Sequence, residues 1–316
     1  MKIAIVGTFQ TGKSTLMNCL IDDCIANVGI GLPTTHMVNY YQSGSGKILC
    51  RNKEGICVRK ATLEEFRLDP KVPINTTWIM HELPGKNCLE ENIIIDTPGL
   101  DSHGVDASSD NLRTLDVIDR VDCIILLLPN TKLTEPMRKV VVNRLKTSRK
   151  PVVALMNCLP IGFNLQTADP KCAQNIMVAK EIDRDLAWEG LIPCDMGLPD
   201  KLRVVPCNVA WWWVSRAEEL KDSFFDNQTR EVFNLRMQEV VNVFRSLDLP
   251  VPRDSELREK SNLSVLINHL VDIQGMQTIT RSNRDENNPT IDARSLRAQM
   301  AEKLSERFWS GRDVFH

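Results

Sequence analysis

An apolar, strand-like stretch, Lys2-Ile3-Ala4-Ile5-Val6, runs directly into Gly7-Thr8-Phe9-Gln10-Thr11-Gly12-Lys13-Ser14. Thr15-Leu16-Met17-Asn18-Cys19-Leu20 follows with helical character. The eight central residues satisfy G-x-x-x-x-G-K-[ST] in full, and the flanking strand and helix are the context that gives the pattern meaning. Two glycines let the backbone curl so that successive N–H groups point inward at phosphate oxygens. The start of the helix adds its positive dipole end. Lys13 can reach the β- and γ-phosphates of a nucleotide, and the Ser14 hydroxyl can ligate magnesium. Gly7, Gln10, Thr11, Gly12, Lys13, Ser14 and Thr15 are therefore candidate nucleotide-binding residues. A chance glycine turn would need strand, loop and helix to coincide by accident.

A second stretch, Asn92-Ile93-Ile94-Ile95-Asp96-Thr97-Pro98-Gly99, is an apolar strand ending in D-x-x-G. A carboxylate at that strand tip can hold magnesium through a water, and the Gly99 N–H can contact a γ-phosphate. Alone the pattern is common; after a phosphate loop and at the end of a buried-type strand it gains specificity. Between the two lies Gly29-Ile30-Gly31-Leu32-Pro33-Thr34-Thr35-His36, ahead of Met37-Val38-Asn39-Tyr40-Tyr41. A loop threonine just before a strand suits a switch whose hydroxyl completes the magnesium shell only when γ-phosphate is present. Thr35 is the first choice and Thr34 the second, so the candidate metal set is Ser14, Thr35 and Asp96.

Short apolar runs alternate with amphipathic stretches along the chain, the pattern of a parallel sheet with helices on both faces. Strands are expected at Lys2–Val6, Met37–Gln42, Asn92–Ile95, Cys123–Leu128, Pro151–Met156 and Arg203–Pro206. Helices are expected at Lys13–Asp23, Ser109–Arg120, Glu135–Ser148 (with Thr134 as N-cap) and Lys171–Glu189. Ser43 to Glu91 is too long for a hairpin and reads as an insertion, with strand-like Ile48–Arg51 and Ile56–Lys60. Its Thr62-Leu63-Glu64-Glu65 looks like a capping box. Gly44-Ser45-Gly46-Lys47 lacks the phosphate-loop spacing and reads as a solvated turn. From Ser215 onward the chain is helical, with a break at Leu249-Pro250-Val251-Pro252. Further helices are expected at Ser255–Ile273 and Ala293–Phe308, around a polar loop at Arg281–Pro289. The fold class is thus α/β: a three-layer P-loop NTPase fold with a mostly parallel central sheet, followed by extra C-terminal helices. The expected division is a nucleotide domain over 1–248, with its insertion at about 43–91, and a helical extension over 249–316.

Taken together, the three motifs resemble the GTPases of the Era-like, ribosome-assembly and dynamin-like branches of the translation-factor class, over roughly residues 1–215. Pro-Thr-Thr-His leading into Met-Val-Asn-Tyr-Tyr is similar to their switch I, and Asp-Thr-Pro-Gly to their switch II. The resemblance implies a magnesium-dependent switch with GTP- and GDP-bound shapes, in which Lys13, Ser14, Thr35, Asp96 and Gly99 occupy the motif positions. Some similar GTPases hold potassium with a phosphate-loop asparagine; Gln10 stands at that position, so a K+ role and a plain loop-capping role are both open. Lys13, Thr35, Gly99 and Gln10 form the candidate catalytic set.

The pattern departs in two places. The guanine-reading motif of this class is [NT]-K-x-D, whose aspartate accepts hydrogen bonds from guanine N1 and N2. Here the sequence is Asn157-Cys158-Leu159-Pro160: the asparagine fits, but lysine and aspartate are missing, and Asp169 comes too late without a rearranged loop. Cys207-Asn208-Val209-Ala210 occupies the place of the Ser-Ala turn over the base, which makes Asn157, Cys207 and Asn208 candidate base-side residues. Of Trp211-Trp212-Trp213, one indole could stack on a purine; aromatics opening a helix are more often core packing, and that reading is preferred. Leu100 stands where many switch GTPases carry a water-orienting glutamine; Asp101 and His103 nearby could act on water, and the preferred reading of each is an ordinary loop residue. The leading expectation is slow GTP hydrolysis serving a conformational switch. A non-catalytic nucleotide-binding partner module and a P-loop ATPase are the alternatives.

The formal charge of -2 supplies no electrostatic reason to expect nucleic acid. The ten cysteines are scattered without zinc-site spacing, as expected of reduced thiols in the cytoplasm. The apolar run at the start is too short for a signal sequence, and the longest later run, Cys123 to Leu128, is far too short to span a membrane. The expected partners are guanine nucleotide and a second copy or related chain, docking through the nucleotide domain or the C-terminal helices.

Overall fold

The computed structural model describes residues 1–270 apart from 9, 30–36, 86–91, 101–106, 132, 134–141, 160–164, 221–223, 225 and 247. Its centre is β1 (Lys2–Gly7), where Ala4, Ile5 and Val6 are buried on alternating faces, as a strand covered on both sides requires. The phosphate loop leads from β1 into α1 (Lys13–Ile21). Beside β1 on one side lies β6 (Ile93–Asp96), and on the other β7 (Cys123–Pro129), both parallel to it. Next come β8 (Val152–Asn157) and β9 (Val204–Cys207), again parallel. The β6 side continues with the antiparallel β2 (Val38–Ser43).

The stretch read as an insertion extends the same sheet. Strands β3 (Lys47–Arg51), β4 (Cys57–Thr62) and β5 (Trp78–Leu83) complete the order β4-β3-β5-β2-β6-β1-β7-β8-β9. Strand β5, parallel to β2, went unrecognised in the sequence, although Trp78–Leu83 alternates half-buried and buried side chains with period two. Between β4 and β5, α2 (Leu63–Leu68) opens on the expected capping box: Glu65 N donates to Thr62 Oγ1 and Thr62 N to Glu65 Oε2. Gly44–Lys47 is the turn from β2 into β3, with Ser45 Oγ donating to Glu82 Oε2, far in topology from the phosphate loop.

One face of the sheet packs on α3 (Ala107–Arg120), α4 (Asn143–Ser148) and α6 (Ala173–Trp188). Val117, Ile118, Leu145, Ile182 and Leu186 form one core there with Ala4, Val6, Leu126 and Ala154. Thr134 and the first part of the helix expected at Glu135–Ser148 lie outside the described residues. On the other side α1 packs against β1, β6 and α7 (Val209–Val214), and α7 packs against α9 (Asn227–Arg245). This is the three-layer, mostly parallel α/β architecture expected.

The helical part begins earlier than Ser215, because Trp211, Trp212 and Trp213 are themselves in α7. All three are buried: Trp213 lies edge-on to Phe233 of α9, Trp211 against Phe244, and Arg258 over Trp212. Their rings pack in the core, the role preferred from the sequence. The helix expected over Ser255–Ile273 is broken. Helix α10 (Asp254–Lys260) ends at Ser261, and Asn262 takes a φ of 59° before helix resumes at 264–270. The break lets Ser261 O accept Asn208 N at 2.8 Å, while Asn262 Nδ2 donates to Pro206 O at 2.8 Å. The first compact unit consequently runs Met1–Leu263, beyond the boundary expected at 248, because Leu257 of α10 joins the Trp211, Val240 and Phe244 cluster. The second unit spans Ser264–His316, of which the described part is the helix at 264–270. The helix expected at Ala293–Phe308 and the loop at Arg281–Pro289 lie outside the described residues.

Candidate nucleotide-binding site

The phosphate loop is shaped by contacts that leave no room for other residues. A Cβ on Gly7 would stand 2.3 Å from the Leu127 carbonyl oxygen of β7, so only glycine fits at the end of β1. Gly12 has a φ of 92°, in the left-handed region that favours glycine, and a Cβ there would meet Asn157 Nδ2 at 2.8 Å. Gln10, exposed at the loop's outer turn, also has a positive φ of 61°. Thr11 Oγ1 donates to Thr8 O at 2.9 Å and closes the curl. Lys13 Nζ donates to the same carbonyl at 2.8 Å. Thr15 sits half-buried in the first turn of α1.

Asp96, at the tip of β6, meets the loop from the neighbouring strand. Ser14 Oγ donates to Asp96 Oδ2 at 2.9 Å, and Thr97 Oγ1 donates to Ile5 O at 2.8 Å. Hydroxyl and carboxylate together are the hard oxygen donors that magnesium takes, usually with water and substrate phosphates completing its shell. Ser14 and Asp96 would hold the ion, which neutralises phosphate charge when bound. Gly99 follows in a buried stretch, and Leu100 N donates to Gly7 O at 3.1 Å, tying the D-x-x-G segment to the phosphate loop. The Leu100 side chain turns into the core, 1% exposed. Thr34, Thr35, Asp101 and His103 lie outside the described residues.

On the base side, Asn157 is buried at the end of β8 and bridges two elements. Its Nδ2 donates to Thr11 O at 2.8 Å, and its Oδ1 accepts Val209 N at 3.1 Å. Cys207, at the end of β9, accepts Cys158 N on its backbone carbonyl at 2.7 Å, and burial pushes its thiol up to about 12. Asn208 is fully buried; Oδ1 caps α7 by accepting Trp211 N at 3.0 Å, and Nδ2 donates to two backbone carbonyls. Its side chain therefore builds the turn. The asparagines Asn130 and Asn175, missed in the sequence, donate to carbonyls of the loop that leaves β8. Their only signal was amide side chains just after an apolar strand and early in a helix.

The sheet, the glycine-bounded loop and the meeting of Ser14 with Asp96 define a P-loop nucleotide-binding protein. Residues 2–158 match the family described as "50S ribosome-binding GTPase", and this segment is a P-loop GTPase domain. A domain of this kind binds guanine nucleotide. The isoniazid-induced protein IniC of Mycobacterium tuberculosis, in strains CDC 1551 and H37Rv, is 31% identical over 136 residues, 40% of this chain. The shared part spans 27% of that relative's length. Among solved structures, Era of Aquifex aeolicus bound to GDP and aluminium fluoride has 18% identity and a TM-score of 0.38, covering 74% of this chain and 56% of its own. A protein of an oligomerised bacterial dynamin pair has 17% identity and a TM-score of 0.45, covering 90% and 40%. Among the described residues, no helix is long and apolar enough to cross a membrane.

Burial dominates the chemistry of Lys13: it lowers the ammonium from its ordinary range to about 8, against the opposing charge of Asp96. A bound polyphosphate favours the charged form and raises it again. Nucleotide affinity should therefore be flat below pH 8 and weaken by about tenfold per pH unit above it, as the free protein loses the proton that binding must restore. Calorimetric titrations of GDP from pH 7 to 9.5, in buffers of different ionisation enthalpy, measure both affinity and proton uptake. Constant affinity without uptake would remove Lys13 from the phosphate contacts.

Proposed function

We propose that this chain is a magnesium-dependent GTP-binding protein and slow GTPase that acts as a conformational switch in the cytoplasm. The observation that carries the reading is the hydrogen bond of Ser14 to Asp96 beside buried Lys13. It joins the phosphate loop to the D-x-x-G strand, which supports reading their side chains as one metal- and phosphate-binding set. Thr35, Gly99 and Gln10 are the proposed additions to it, Gln10 with K+ as a further ligand. A second copy or a related chain is the proposed partner, through the GTPase domain or the C-terminal helices.

The burial of Leu100 favours a second reading, a nucleotide-binding module that does not turn over. Leucine in the core has neither donor nor acceptor for the attacking water. A well-studied switch GTPase with a glutamine at that step turns over at about 10⁻⁴ s⁻¹ unaided. Phosphate release from GTP, with and without magnesium, across protein concentrations and in potassium against sodium, separates the two. We expect turnover near or below that intrinsic rate, lost without magnesium and raised by potassium or higher protein concentration. No release under any of these conditions selects the binding module. A fast rate indifferent to dilution and cation shows a complete catalytic set outside the residues proposed.

A further inference from the structure

Strand β8 ends at Asn157, and Cys158-Leu159-Pro160 supplies no carboxylate within the next three positions. Residues 160–164 lie outside the described residues, and α5 (Leu165–Ala168) follows them. Asparagine side chains tie the outgoing limb before them to the returning limb after them. Asn208 Nδ2 donates to Cys158 O at 2.9 Å and to Ala168 O at 2.8 Å. Those two carbonyls are thus no farther apart than the sum of the two bonds. Asn130 Nδ2 likewise spans Leu159 O at 3.2 Å and Thr167 O at 3.4 Å. Asn175 Nδ2 donates to Asp169 O at 2.8 Å. Asn208 and Asn175 are buried, and a buried carbonyl deprived of its donor is costly, so the closure is held firmly.

Asp169 is the carboxylate that this closure returns to the strand ends. It is half-buried, and its Oδ1 accepts Lys171 N at 2.9 Å. The Cys158 thiol is raised by burial first, then by Cys207 and by the charge of Asp169, so this carboxylate and Cys158 are electrostatic neighbours. Cys158 in turn follows Asn157, whose amide grips the phosphate loop at Thr11 O. Asp169 therefore stands beside the carboxyl ends of β8 and β9, where a nucleotide seated on the loop extends its base. A carboxylate has about four acceptor sites, and the Lys171 bond uses one. Guanine offers N1–H and an N2 amine side by side, two donors for one carboxylate; adenine offers an acceptor at N1.

We propose that Asp169 is the base-reading carboxylate, delivered from the returning limb of the loop rather than from position 160. This rests on the guanine-nucleotide reading above. The plainer role, closing the turn into α6 through Lys171 N, predicts a different response to substitution. Asp169→Asn preserves an acceptor for Lys171 N but offers a base one acceptor and one donor, which matches N1–H and O2 of xanthine. Calorimetry on the full chain with GDP, IDP, XDP and ADP tests this, with thermal unfolding as a check on the fold. The wild-type chain should bind GDP about tenfold or more tighter than IDP, which lacks the N2 amine. Asp169→Asn should lose about tenfold or more for GDP and gain about as much for XDP. Gained XDP binding cannot come from unfolding; if the variant does not fold, equal GDP and IDP affinity in the wild type overturns the proposal. A folded variant with unchanged GDP and XDP affinities overturns it while leaving guanine binding intact. A wild-type chain that binds no GDP overturns the underlying reading first.

Discussion

Replacing Lys13 with alanine is expected to weaken GDP and GTP binding by at least about 100-fold, since hydrogen bonds to charged groups contribute about 1.5–3 kcal/mol and a lysine makes more than one. The variant should fold. Lys13 is buried, and that burial destabilises its ammonium more than the Asp96 charge favours it, so its removal takes little net stabilisation from the protein interior. The curl of the loop is kept by Gly7, Gly12 and the Thr11–Thr8 bond, none of which involves the lysine. Titration calorimetry measures the affinity and circular dichroism the fold. Unchanged affinity would show that the nucleotide seats elsewhere.

The second large effect belongs to Asn157. Its side chain joins the phosphate loop, through Thr11 O, to the start of α7, through Val209 N, and it is 1% exposed. Asn157→Ala leaves both partners buried without their bonds, at about 1–3 kcal/mol each. We expect a loss of roughly 2–4 kcal/mol in urea unfolding, together with weaker nucleotide binding as the loop loses its outer tether. A stability change below about 0.5 kcal/mol, the usual surface effect, would mean that neither bond matters to the fold. Lys13→Ala and Asn157→Ala thus differ in kind: the first should remove binding at constant stability, the second should lower both.

How much of this was legible depended on whether the information was local. The phosphate loop and the strand ending in Asp96 are contiguous patterns, and their meeting follows once β1 and β6 lie side by side in a parallel sheet. The capping box at Thr62 and Glu65 was readable for the same reason. Strand β5 was missed although its alternation was present, because Trp78–Leu83 gains its meaning from pairing with β2 and β3, strands distant in sequence. The Trp211–Trp213 run could be weighed only by general habit until α9 and α10 showed what covers each ring. The return of Asp169 to Cys158 was hidden most deeply. It is made by amides of Asn130, Asn175 and Asn208, lying before the loop, after it and on another strand's turn, and no spacing rule links them.

The break in α10 bears on how this protein is divided for study. Chain ended at 248, after α9, would lose Ser261 O as acceptor for Asn208 N, Asn262 Nδ2 as donor to Pro206 O, and the Arg258 guanidinium over Trp212. These contacts fall on the end of β9, on α7 and on Asn208 between them, whose amide donates to Cys158 O and Ala168 O. A fragment trimmed by helix boundaries would therefore lose contacts around Asn208, far from the cut in sequence. The compact unit Met1–Leu263 retains all three contacts.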